Sequence, residues 1–290
     1  MKLSRFYDLV LRFGIDKDPR KKKKDIKSYS DSAILYGRPA TEVNKIMVGI
    51  DIEGPEIMLA EKIREKQGLD LVLAHHPEGA AFAGLYGVMK LQVDTLIEAG
   101  VSESVARGLL EERIRQVERS LLPANHMRAV DAAKLLDIPF MCAHTPADNH
   151  VASFIQELMG KTRPKKTADI IDILEGIPEY AEAKKNMAGP KIIMGSPRRP
   201  VGKVFVEMTG GTEGHKDVYD KLYKAGVRTL ISMHLGEEHL KNVKDANLNV
   251  VIAGHISSDT LGLNLLLDRI EKEERMEVVE CSGFRRFRRN

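Results

Sequence analysis

The sequence has no tryptophan, and aromatic residues fill only 5% of its 290 positions. Aliphatic side chains must therefore build the core, which the 43% apolar content allows. Only two cysteines occur, Cys142 and Cys281. That excludes a disulfide framework and makes a reducing cytoplasm the expected location. No apolar run approaches the roughly 18 residues a membrane helix needs. Residues 1–6 lead into an amphipathic helix rather than an apolar leader, so no membrane contact is expected. The net charge of +3 is too small for a surface given over wholly to nucleic acid.

What the sequence does have is alternation. Short apolar, β-branched runs at 45–51, 69–74, 138–143, 203–208, 229–233, 250–253 and 276–280 read as strands. Helical spacing marks 3–13, 55–66, 152–159, 215–225, 237–246 and 259–271, with shorter helices around 170–174 and 180–186. The span 82–136 is almost wholly helical, broken near Gly100, Pro123 and Asn125. Helices between strands mean an α/β fold with mostly parallel sheets. The length suits two intimately joined lobes. We expect residues 1–150 with 250–290 to form the first, carrying a helical insertion near 100–136. Residues 151–249 form the second, after the basic connector at 160–166.

Three strands end in polar clusters: Ala74-His75-His76-Pro77-Glu78, Ala143-His144-Thr145-Pro146-Ala147-Asp148, and Gly254-His255-Ile256-Ser257-Ser258-Asp259. Open α/β sheets bind ligands at the carboxyl ends of their strands. Four of the nine histidines fall there. Two clusters repeat one layout, a histidine with a carboxylate four residues on. A helix starting straight after the strand would turn both side chains to one face. Imidazole with carboxylate is ligand chemistry for zinc, iron or manganese. Six such groups exceed one tetrahedral site and suit two divalent ions sharing a bridging carboxylate. The plainer alternatives are hydrogen-bonded loop histidines, a His-His-Pro turn, and Asp148 and Asp259 as helix N-caps.

The order His-His-Pro, then His-Thr-x-x-Asp, then Gly-His-x-x-x-acid resembles the NIF-three-like family (NGG-one-interacting factor three), which also carries the label GTP cyclohydrolase I type two. The stretch 45–51 and the run 70–77 (DLVLAHHP) resemble its N-terminal block. The resemblance implies two interlinked α/β lobes with a dinuclear metal site between them, and dimers assembled into a ring-like hexamer. It assigns His75, His76, Asp148, His255 and Asp259 as metal ligands, with His144 in or beside them. This chain differs from the family in three ways. Asp259 stands where Glu is usual, the interval from His76 to His144 is long, and Asp31-Ser32 replaces an Asp-Asn pair.

Other features lie near the same strand ends. The turn 209–214 (TGGTEG) could present backbone N–H groups to an anion, or simply join a strand to a helix. His234, Glu238 and His239 follow a strand and are candidate catalytic groups for proton transfer; Glu238 is equally a solvated helix residue. Cys142 reads as a buried core residue two positions before His144. Basic segments at 20–24, 198–199 and 285–289 allow nucleic-acid contact, or are a solvated loop and a frayed end.

The leading expectation is a metal-dependent hydrolase acting on a nucleotide-like or other small-molecule substrate. The alternatives are a non-catalytic metal-binding or interaction scaffold, and a nucleic-acid-binding protein.

Overall fold

Helix α1 (Leu3–Asp16) sets Phe6, Leu9, Val10 and Phe13 on one face, and all four are buried, as their spacing requires. The structure is a computed structural model that describes residues 1–289. After α1 come β1 (Ser32–Tyr36), β2 (Lys45–Gly49), α2 (Gly54–Gln67) and β3 (Leu71–Ala74). The helical stretch then divides into α3 (Gly79–Ala83), α4 (Leu91–Ala99), α5 (Glu103–Leu121) and α6 (Arg128–Leu135), with a 3-10 turn at Leu85–Lys90. Strand β4 (Phe140–Ala143) leads into α7 (Thr145–Thr162), followed by α8 (Thr167–Glu175) and α9 (Pro178–Lys185). The remainder is β5 (Lys191–Met194), β6 (Lys203–Glu207), α10 (Val218–Lys224), β7 (Val227–Ser232), α11 (Glu237–Asp245), β8 (Asn249–Ile252), α12 (His255–Glu271) and β9 (Glu277–Glu280).

The strands form two sheets, ordered β1-β4-β3-β2-β9 and β5-β8-β7-β6. Leaving β9 aside, the two orders are the same. Each sheet is parallel except for one antiparallel edge strand, β1 on β4 and β5 on β8. The α/β reading with mostly parallel sheets therefore holds. The two edge strands did not appear among the sequence expectations. Both are short: β1 follows a polar basic loop, and β5 sits between Gly189-Pro190 and Gly195.

The longest helices join the lobes. Helix α7 gives Ala147 to the core beneath the first sheet, and Val151, Ile155 and Met159 to the core of the second. Helix α12 does the reverse, giving Leu261 to the second core and Leu263, Leu266, Leu267 and Ile270 to the first. Burial of each such Leu or Ile contributes about 1.5–3 kcal/mol. The two helices meet where Gly262 lies against Ala147. A Cβ on Gly262 would stand 2.5 Å from the Ala147 carbonyl oxygen, so only glycine permits this crossing.

Both helices also begin earlier than their apolar spacing indicates, at Thr145 and His255. The polar first turns hid the starts. Asp148 and Asp259 therefore lie inside the helices, and the N-cap positions belong to His144 and Gly254.

The arginine-rich C-terminus is tied down. Arg286 is almost fully buried and pairs with Asp268 and Glu271, while Arg288 pairs with Glu271 and Arg289 with the buried Glu179. Among the described residues, no helix is long and apolar enough to cross a membrane, and both cysteines are free.

Candidate metal centre

Strand β3 is buried along its whole length, so the chain leaves it at a fixed point and turns into His75 and His76. Strand β4 delivers His144 in the same way, and β8 delivers His255. The early helix starts then act on the His-to-carboxylate spacing. His144 and Asp148 come within 3.7 Å of each other, and His255 and Asp259 within 3.6 Å. A carboxylate near a helix N-terminus is also favoured by the helix dipole. All six expected residues converge in one cleft between the lobes.

Asp259 is central. Its Oδ1 lies 3.4 Å from His75 Nε2, and its Oδ2 lies 3.4 Å from His76 Nε2. His75 Nε2 is also 3.4 Å from Asp148 Oδ1. Three overlapping groups can each hold a metal ion: His75 with His76 and His144; His76 with His255 and Asp259; and His75 with Asp148 and Asp259. Both oxygens of Asp259, Oδ1 of Asp148 and both ring nitrogens of His75 are buried without a hydrogen-bond partner. Leaving such groups unpaired costs about 1–3 kcal/mol each. The residues therefore fit a metal site, because a cation satisfies what the protein leaves open.

The electrostatics agree. Burial opposes charge on His75, but Asp259 and Asp148 outweigh it and raise the imidazole to about 10. Burial likewise opposes ionisation of Asp259, yet His75 and His76 hold its carboxyl far below the usual range. Burial lowers His255, and Asp259 only partly offsets this. The centre calls for positive charge, which protons or metal ions can supply.

Carboxylates behind the histidines orient them, and these the sequence reading had not assigned. Asp31, fully buried, accepts from His144 Nδ1 at 2.8 Å and from the Thr145 hydroxyl at 2.6 Å. Ser32 Oγ accepts from the His144 backbone N–H. Asp51 holds His76 Nδ1 at 2.6 Å. In both cases Nδ1 is engaged and Nε2 faces the carboxylates of the centre, the arrangement that fixes a ligating imidazole. Part of the signal was present: Asp31 stands where the resemblance puts an early Asp, and Asp51 lies two residues past the end of β2, a parallel strand beside β3.

The open side of the cleft is walled by Glu207, Met208, Thr209, Gly211, Thr212, Glu213, Ser232, Met233 and His234. His234 packs against His255 with the rings tilted by 55° and their centroids 4.8 Å apart. Its Nδ1 meets Glu213 Oε1 at 3.2 Å. That contact, despite partial burial, drops Glu213 to about 2. Burial and the neighbouring Glu213 lift Glu207 to about 7.

His239 lies behind this wall, bonded through Nδ1 to Tyr219 Oη and 3.8 Å from Glu213 Oε2. Glu238 is exposed, pairs with Lys216 and lies outside the cleft. Cys142 is buried in the apolar core with its thiol pushed up to about 12. The turn at 209–214 does not open a helix directly, since α10 starts only at Val218. Instead it packs on α4, where Gln92 Nε2 donates to the carbonyls of Gly210 and Thr212.

Compared with family models and with curated proteins, the sequence matches none. Solved structures do match. A NIF3 superfamily protein from Sphaerobacter thermophilus is 27% identical, with a TM-score of 0.82 over 98% of both chains. Reduced HcgD from Methanocaldococcus jannaschii is 15% identical, with a TM-score of 0.57 over 97% of both chains. TTHA1606 from Thermus thermophilus, also 15% identical, has a TM-score of 0.54 over 97% of both chains. The last two share the fold; the first adds sequence likeness along the whole length. With the three strand-end motifs brought into one cleft, the likeness to the NIF3 superfamily structure supports a NIF3-like family for this chain.

Proposed function

We propose that this protein binds two divalent ions and uses them as a hydrolase on a small, nucleotide-like or related substrate. The observation that carries the reading is Asp259. Its two buried oxygens lack hydrogen-bond partners and face different histidines, so Asp259 would help to hold both ions. His75, His144 and Asp148 would hold the inner ion, and His76 and His255 the outer one. A bound pair supplies Lewis acidity and an activated water.

The chain's own residues do the rest. Asp31 and Asp51 fix the histidines that face the centre. The wall from Glu207 to Glu213 borders the open side, where a substrate must enter. His234, on that side, would take a proton from the attacking group.

The test is metal quantification on the purified protein, followed by hydrolysis assays on nucleotides and phosphodiesters. Two ions per chain with turnover, both lost in Asp259→Ala, are expected. Ions without turnover of any substrate would reduce the reading to a metal-binding protein. No retained metal in a folded protein would end it.

A further inference from the structure

Three histidines of the cleft share one wiring. His144 is held at Nδ1 by Asp31, His76 by Asp51, and His234 by Glu213. The first two belong to the metal-holding groups, and His234 does not. It occupies the matching place in the other lobe: it follows β7, the counterpart of β3, whose end carries His75 and His76.

Glu213 is itself held firmly. Its Oε1 accepts from the Gly236 N–H at 2.7 Å as well as from His234. Its own carbonyl accepts from Arg113 Nε on α5 at 3.1 Å. The preceding residues are gripped by Gln92, buried on α4, at 2.8 and 2.6 Å. Gly210 and Gly211 have φ of +97° and +88°, and a Cβ at either would strike Gln92 or Val88. The helical stretch between His76 and His144 thus braces the loop that carries Glu213.

We propose that Glu213 is a positioning residue. It locks His234 with its proton on Nδ1 and its Nε2 lone pair presented to the metal cleft. Gln92 and Arg113 hold Glu213 in register for this task. The assignment of His234 as the proton acceptor rests on the hydrolase reading; the locking by Glu213 does not. A lone imidazole in water samples both tautomers, whereas a carboxylate on Nδ1 selects one. Selecting it beforehand spares the reaction the cost of rotating or re-protonating the ring.

The test uses the full-length, zinc-loaded protein with nitrogen-15 histidine. Spectra are recorded at a pH that leaves the imidazole neutral, and His234→Gln identifies the signal. Wild type should show Nδ1 protonated and Nε2 bare. Glu213→Ala should lose that preference. Glu213→Gln should keep it, because the amide oxygen can accept from both Gly236 and His234. An unchanged tautomer in Glu213→Ala overturns the proposal, whatever the protein catalyses.

Hydrolysis of bis(4-nitrophenyl) phosphate supplies the second readout. With metal content unchanged, Glu213→Ala and His234→Ala should each lower kcat by about a hundredfold. The double variant should fall no further than either single one, as expected for groups that act as a unit. Multiplicative losses would overturn the proposal. A wild type inert toward this probe, with two zinc ions bound, would count against the hydrolase reading and leave the tautomer to decide on Glu213.

Discussion

The two lobes are built on one plan and used differently. Each runs an antiparallel edge strand beside the strand from which a histidine-bearing helix springs. The first lobe turns that plan inward. His75 and His144 are buried, and Asp31 behind them is fully enclosed. The second lobe turns it outward. Strand β8 pairs in the second sheet, not in the first lobe where residues 250–253 were expected, so His255 and Asp259 enter with His234. The His255 and His234 side chains are 41% and 46% exposed, and Asp259 is deeply buried. The shared topology accounts for the convergence of both helix starts on one cleft. Under the proposed function, the difference in burial divides the labour: a closed inner half would retain an ion and an open outer half would meet the substrate.

Several substitutions probe that division. Asp259→Ala should do the most damage, because Asp259 faces both halves. Metal analysis after dialysis should show both ions lost, with affinity reduced by more than the roughly 10–100-fold typical of an outer partner. Asp148→Ala should leave the outer ion in place; equal loss from the two variants would erase the distinction between the halves. Asp31→Ala comes next. It leaves His144 and the Thr145 hydroxyl without their acceptor, and should weaken the inner ion by about 10–100-fold.

The pH response of the metal-free protein is a fourth probe. His75 is raised above its ordinary 6.5 to about 10, so its protonated form stabilises the fold fully below pH 6.5. That contribution is lost as pH climbs through about 10. Asp259, held low, contributes throughout this window and loses its effect only in strong acid. Thermal melts with chelator should therefore shift to lower temperature between pH 7 and 10, and saturating zinc should remove the shift. A melting temperature that rises over that range in chelator would contradict the charge balance described. The smallest effect belongs to Asp51→Ala. Asp51 orients His76 from a largely exposed position, so the loss should be about tenfold or less and confined to the outer ion.

The legible parts of the sequence were those with strong local periodicity or distinctive chemistry. Parallel strands buried on both faces read as continuous apolar runs, and their ends advertised His75, His76, His144 and His255. Edge strands carry less of that signal: β5 alternates exposed and half-buried residues over only four positions. The starts of α7 and α12 were masked because their first turns spend their positions on the metal cleft instead of the core. Asp31 could be placed only through the resemblance, and neither it nor Glu213 could be matched to its histidine, for another reason. Each acts on a histidine far along the chain or in another loop, 113 and 21 residues away, and no local pattern encodes such pairings. Asp259, where the resembled family usually has Glu, brings both its oxygens within 3.4 Å of histidines despite its shorter arm.

The contact of Gly262 with Ala147 has a consequence for how this site can evolve. The two helices that carry His144–Asp148 and His255–Asp259 cross there with no room for a methyl group. Their separation sets the span between the two halves of the centre. A change of one atom at this crossing, which is next to Asp148 and within a turn of Asp259 but holds no metal itself, would widen both halves at once. Preference among ions of different radius is therefore accessible to mutation from the scaffold, with the coordinating side chains left untouched.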